Sequence, residues 1–242
     1  VQGFKPVFVD VEENGWIMDV EKLSEKISRR TKAIIVVYPY GQACNIKEIM
    51  KIAREHSLVV IEDVAQALGG AYAGKNLGSF GDFAFFSFRF SKDITCFSGG
   101  ALVSQNSVTS SHMKTHSGVT VAVRLSVLLA SAKFFPKAVS KIFLSLSPKE
   151  DRQKFVYKNF TLSLYELGLL GVQLSRLDAV IEKRRKNALF YSRNLSNGLV
   201  FQKDFATSTA YRFPVLCADR DKLKYFLSKK GIQCEPMYDY AL

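Results

Sequence analysis

The 242-residue chain carries 34 Lys and Arg against 22 Asp and Glu, a formal charge of +12, with 48% hydrophobic and 23% charged residues. That composition excludes a disordered or fibrous chain, and the length suffices for one large domain or one domain plus a piece of another. The positive balance favours anionic partners (nucleotides, phosphorylated metabolites, nucleic acid, a lipid surface) without choosing among them.

The four cysteines, Cys44, Cys96, Cys217 and Cys234, form no CxxC. Neither a zinc site nor a disulfide framework is therefore expected, and a reduced, cytoplasmic compartment is the default. Asn159-Phe160-Thr161 and Asn194-Leu195-Ser196 match a glycosylation sequon, but nothing else suggests secretion. No run is apolar and long enough to span a bilayer.

In chain order, FKPVFVDV reads as a strand entering a turn at Glu13-Asn14-Gly15, and Asp19 as the cap of a helix carrying Val20, Leu23 and Ile27. TKAIIVVYPYG is a predicted strand ending at Tyr38-Pro39. Asn45 with Glu48 resembles a capping box opening a helix from Ile46 to His56, whose Ile46, Ile49, Met50 and Ala53 fall at helical spacing. Strand Ile34–Val37, this helix and strand Val59–Ile61 make one βαβ unit with parallel strands, the core of an α/β sandwich.

The stretch Leu58 to Ser104 concentrates the chemistry. LVVIED is a short apolar run ending in two carboxylates, the pattern of a strand buried on both faces of a parallel sheet. A glycine-punctuated connection follows, then FAFFSF, Lys92, and a Gly-Gly pair opening another apolar strand. Ligands of open α/β sheets bind beyond the carboxyl ends of strands. Asp63 stands at one such end, and Ser87 and Lys92 at or beyond another.

From Val119 to Leu146 the chain is apolar but interrupted by Arg124, Lys133, Lys137 and Lys141, with Pro136 breaking any long helix. It reads as amphipathic helices packed on the domain or a partner subunit, with a basic membrane-surface element as the alternative. Leu174, Leu177, Ile181, Ala188, Tyr191 and Leu195 mark one face of a long helix with a basic middle, EKRRK. A strand over Tyr211–Leu216, a helix RDKLKYFLSKKG and a further strand follow.

Taken alone, Lys92 is a surface lysine and Asp63 a helix cap or ion-pair partner. Asp-x-x-Gln at a strand end, followed 29 residues after the aspartate by a lysine preceded by FSF, is more specific. With TKAIIVVYPYGQ, FSFRFSKDIT, NFTLSLYELGLLGVQLSRLD and EKRRKNALFYSRNL, the chain resembles the DegT/StrS-type nucleotide-sugar aminotransferases, pyridoxal-phosphate enzymes of fold type I. The resemblance covers nearly the whole chain and is loose over Val119–Lys154.

It implies a large α/β/α domain with a mostly parallel sheet over residues 1–198 and the start of a small α+β domain over 199–242. Lys92 matches the lysine that forms the Schiff base with the cofactor aldehyde and carries the proton afterwards. Asp63 matches the aspartate that keeps the pyridine nitrogen protonated. Gln66 matches the residue near the ring and its 3-hydroxyl, and Ser87 a phosphate ligand. Asn159 matches an asparagine that reaches the phosphate in the neighbouring subunit of a homodimer. Tyr38, Tyr40 and His116 read equally as pocket or packing residues.

The sequence departs from the family pattern at Asp93, where asparagine is usual, at Phe97-Ser98, where Gly-Glu is usual, and at Thr161, where arginine is usual. Family members begin well before the position of Val1 and continue past Leu242, so the chain is expected to be an interior part of a longer enzyme. The implied reaction moves an amino group from an amino acid, glutamate by family usage, to a keto group of a nucleotide-linked sugar, for polysaccharide or amino-sugar biosynthesis. The cofactor alternates between pyridoxal and pyridoxamine phosphate; no metal and no nucleic acid are expected. The alternatives are a degenerate, non-catalytic member and a pyridoxamine-phosphate sugar dehydratase. The latter has histidine where this chain has Lys92.

Overall fold

Two short helices form where the sequence supplies their caps. In α1 (Val20–Lys26), Asp19 accepts the Glu21 N–H at 3.0 Å and the Lys22 N–H at 3.4 Å. In α2 (Ile46–Glu55), Asn45 Oδ1 accepts the Glu48 N–H at 3.4 Å. The computed structural model to which they belong describes residues 3–13, 15–89, 91–96, 99–105, 114–115, 160–195, 199–202 and 205–237. Val1–Phe86, Leu102–Gln105 and Leu177–Leu242 form one unit; Ser87–Ala101 and Asn106–Arg176 form another.

In the first unit, β1 (Ala33–Val37) pairs in parallel with β2 (Val59–Asp63), Val37 lying opposite Asp63. With α2 between them they make the expected βαβ unit. The antiparallel hairpin β3 (Ala71–Tyr72) and β4 (Lys75–Asn76) leads on to β5 (Phe83–Ser87). β5 runs parallel to β2 with Phe85 opposite Asp63. β6 (Gly100–Ser104) completes the order β1-β2-β5-β6.

Burial corrects the expectation that β2 is covered on both faces. Ile34, Val36 and Val60 are buried in one cluster with Ile46, Ile49 and Ala53 of α2. On the opposite face Val59 of β2 remains 39% exposed, and Ile35 and Val37 of β1 are 56% and 41% exposed. Alternation along a strand separates the two sets, and α2 packs on only one of them.

The predicted strand FKPVFVDV is also absent. Residues 4–10 form no ladder, and a single bridge joins Val11 to Met18. Among the described residues no strand runs beside them to complete a ladder.

Still in the first unit, the last segment contains a helix at Leu177–Asn194 with Ile181 and Ala188 buried. β9 (Val200–Phe201) pairs antiparallel with β10 (Val215–Leu216). The predicted strand from Tyr211 is thus reduced to its last two residues. The helix at Arg220–Lys229 is capped by Asp219, and no strand follows it among residues 232–237.

In the second unit, β7 (Lys114–Thr115) pairs in parallel with β8 (Phe160–Thr161). Next comes α3 (Leu164–Leu174), closed at its start by a reciprocal capping box of Ser163 and Glu166. The single long helix expected through Leu174 is two: α3 stops, and α4 begins at Leu177 and ends at Asn194, with the fifth helix, α5, being Arg220–Lys229. Ser175 at the break donates its hydroxyl to the Val172 carbonyl at 2.8 Å, a local bond that competes with the helical ladder.

Candidate active site

The pleat of β2 sends its two terminal carboxylates to opposite faces. Asp63 is half-buried at the carboxyl end of the strand. Its Oδ1 accepts the Ala65 N–H at 3.0 Å, an Asx turn that starts the connection, and its carbonyl accepts the Tyr38 N–H at 3.3 Å. Val64 N–H donates to the Phe85 carbonyl at 3.0 Å. The ends of β1, β2 and β5 are thereby stitched together around the aspartate.

Gln66 completes the turn. Its Oε1 accepts the Tyr40 N–H at 2.9 Å. With the oxygen committed as acceptor, the amide nitrogen is the donor end that the side chain offers elsewhere. Tyr40 reaches this position with φ 57°, and Gly41 follows at φ 84°. A non-glycine residue in the left-handed region persists only where its surroundings hold it. Here Tyr40 is buried, edge-on to Trp16 with ring centroids 5.9 Å apart.

Glu62, next to Asp63, has a structural role that sequence reasoning missed. It is fully buried. Its Oε2 accepts the Tyr38 hydroxyl and the Gly78 N–H, and its Oε1 accepts the Phe80 and Gly81 N–H groups, all at 2.7 Å. Four donors fill the acceptor capacity of one carboxylate. Tyr38 is accordingly a core residue, and burial, with Cys44 and Glu62 adding to it, pushes its hydroxyl well above the usual tyrosine range. It remains a protonated donor. The one local signal was the glycine spacing: Gly78 has φ 88°, and a Cβ there would lie 2.6 Å from the Phe86 ring.

In the second unit, Ser87 is the half-buried last residue of β5. Beyond it the chain closes a loop on itself. Phe88 N–H donates to the Gly99 carbonyl at 3.0 Å. The Phe88 carbonyl accepts the Cys96 N–H at 3.1 Å and the Thr95 hydroxyl at 3.2 Å. Phe88, Ile94 and Cys96 are buried. Lys92 sits half-buried on this loop, its N–H donating to the Arg89 carbonyl at 2.9 Å.

Tyr38, Tyr40, Asp63 and Gln66 therefore gather within the first unit, while Ser87 and Lys92 belong to the second. Asn159, His116 and Val119–Leu146 lie outside the described residues. Among the described residues no group of three or more His, Cys, Asp or Glu side chains could hold a metal ion, and no helix is long and apolar enough to cross a membrane.

The sequence matches the profile of the DegT/DnrJ/EryC1/StrS aminotransferase family over residues 1–242. The chain belongs to this family. Among its relatives it is 32% identical over 234 residues to dTDP-3-amino-3,6-dideoxy-alpha-D-galactopyranose transaminase of Aneurinibacillus thermoaerophilus, covering 96% of this chain and 58% of that protein. It is 30% identical over 248 residues to GDP-perosamine synthase of Vibrio cholerae, covering 98% of this chain and 60% of that protein. Among solved structures, Helicobacter pylori PseC, an aminotransferase involved in the biosynthesis of pseudoaminic acid, is similar with a TM-score of 0.68 and 27% identity, over 98% of this chain and 62% of that one. The chain thus spans about three-fifths of the length of the relatives it matches. The α/β fold expected from the resemblance is the fold of these solved aminotransferases.

Proposed function

We propose that this chain carries the cofactor-binding core of a pyridoxal-phosphate-dependent aminotransferase acting on a nucleotide-linked keto sugar. The observation that carries the reading is the locked Asp63–Gln66 turn at the carboxyl end of β2, in a chain of this family that also holds a half-buried Lys92 beyond β5. The donor set fits the group: an amine for its aldehyde, a carboxylate for its pyridinium, an amide N–H for its ring oxygen and a hydroxyl for its phosphate.

When bound, the cofactor supplies an electron sink for a carbanion. Asp63 would hold the proton on the ring nitrogen, and the Asx turn to Ala65 fixes the carboxylate that does so. Gln66 would donate its amide N–H to the ring oxygen. Ser87 would donate to the phosphate, joined by Asn159 from a second subunit of a homodimer. Lys92 would bind the aldehyde through Nζ and, once displaced by an amine, accept and return the proton at the substrate carbon.

The names of the relatives support a nucleotide-sugar acceptor, and family usage supports glutamate as donor. The net positive charge suits a diphosphate substrate. A lysine rather than a histidine at position 92 favours transamination over dehydration.

The test is to add pyridoxal phosphate, reduce with borohydride and map the adduct by peptide mass spectrometry, with Lys92→Ala as control. An adduct confined to the Lys92 peptide and lost in the variant is the expected result. Adducts scattered over many lysines, unchanged in Lys92→Ala, would overturn the proposal.

A further inference from the structure

The segment from Thr207 to Tyr211 is far in sequence from the Asp63–Gln66 turn, yet it hydrogen-bonds to that turn and its neighbours. Ala71 N–H donates to the Thr207 carbonyl at 3.2 Å. Thr209 N–H donates to the Gly41 carbonyl at 3.0 Å, and Tyr211 N–H to the Tyr40 carbonyl at 3.1 Å. The Thr209 hydroxyl donates to the Gln66 carbonyl at 3.4 Å. From the other side, two guanidiniums of α4 grip the segment: Arg185 Nε donates to the Ser208 carbonyl at 2.6 Å and Arg184 to the Tyr211 carbonyl at 3.3 Å.

The fit is close. Ser208 and Thr209 are 1% and 0% exposed. A Cβ on Gly41 would fall on the Thr209 hydroxyl, so only glycine allows the approach. Both partners also carry unusual backbone, Tyr40 at φ 57° and Ala210 at φ 48°. Such conformations persist when the neighbouring structure determines them, and each segment supplies that constraint for the other.

We propose that Thr209 is a positioning residue for Gln66. It fixes the Tyr40–Gly41 turn through its N–H and the Gln66 main chain through its hydroxyl, and so keeps the Tyr40 N–H aimed at Gln66 Oε1. Rotating the Gln66 amide by half a turn would set its NH2 against the Tyr40 N–H, donor against donor. Thr209 therefore decides which end of Gln66 faces outward: the donor. The inference rests on the aminotransferase reading for what that donor meets, but not for the positioning itself.

Two measurements separate these. In the ligand-free chain, Thr209→Val keeps shape and backbone but loses the hydroxyl. Hydrogen exchange at the Tyr40 amide should then rise about fivefold, the effect of one net hydrogen bond, while Thr209→Ser matches the parent. Unchanged exchange in Thr209→Val overturns the positioning role.

With pyridoxal phosphate bound, the pH midpoint of the cofactor's visible absorbance should shift in the same direction in Thr209→Val and Gln66→Leu. The double variant should move no further than Gln66→Leu alone. Additive shifts, or a midpoint that Gln66→Leu moves and Thr209→Val does not, would overturn the link to the cofactor. A cofactor that fails to attach at Lys92 while the exchange result holds would reject the aminotransferase reading and leave the positioning of Gln66 standing.

Discussion

Glu62→Gln should be the most informative single substitution in the first unit. The parent carboxylate accepts four donors at 2.7 Å and is fully buried. Glutamine keeps the shape but has one acceptor oxygen. Its best arrangement places that oxygen on the Phe80 and Gly81 N–H groups and turns the NH2 toward Tyr38, whose hydroxyl rotates to accept. The Gly78 N–H is then orphaned, since a backbone donor cannot rotate away. An orphaned buried donor costs about 1–3 kcal/mol, and the loss of charge assistance in the bonds that remain brings the total to about 3 kcal/mol. At a urea slope of roughly 2–3 kcal/mol per molar, the unfolding midpoint should fall by about 1 M. Tyr38→Phe removes one donor only and should cost about 1.5–3 kcal/mol, with the double variant less than additive because both changes act on one network. A Glu62→Gln midpoint within about 0.2 M of the parent would refute the reasoning, since the carboxylate would then not be what holds the Gly78–Gly81 turn to β2.

Three further outcomes are expected. Burial pushes the Cys44 thiol up to about 12, so native-state alkylation at about pH 9 should label Cys217 and Cys234 while the buried Cys44 and Cys96 resist until the chain is unfolded. Because the folded state holds the Cys44 proton longer than the unfolded state does, stability should decline as pH rises from about 9, the ordinary thiol range, towards 12. Ser163→Ala removes the half of the α3 capping box in which the serine hydroxyl accepts the Glu166 N–H, together with its bond to the Glu166 carboxylate, and leaves the residue 163 N–H on that carboxylate; a cost of about 1 kcal/mol should appear as faster hydrogen exchange in the first turn of α3, with α4 unaffected.

Local signals accounted for much of the fold. Asp19 and Asn45 cap the helices they precede because a cap needs only the next few residues. The βαβ unit and the strands at Phe83–Ser87 and Gly100–Ser104 follow from apolar runs and glycine punctuation. Family membership was legible for a related reason: Asp63, Gln66 and Lys92 lie in one continuous stretch with its own spacing. The failures were equally physical. FKPVFVDV has strand composition, but a strand exists only beside a partner. The helix predicted through Leu174 breaks at Ser175, where a side-chain bond to Val172 replaces one of the ladder.

What the sequence determined by itself, then, was most of the local elements and the family, with the candidate residues that the family pattern points to. The tertiary structure decided how those residues are held. Two adjacent carboxylates, Glu62 and Asp63, look alike in the sequence; the pleat assigns one to the core and the other to the strand end. The donors to Glu62 come from 24 residues earlier and from 16 to 19 residues later. The hydroxyl that steadies Gln66 comes from Thr209, 143 residues away. A hydrogen bond is a relation of distance and angle between two groups, and no local pattern encodes it until the chain has brought them together.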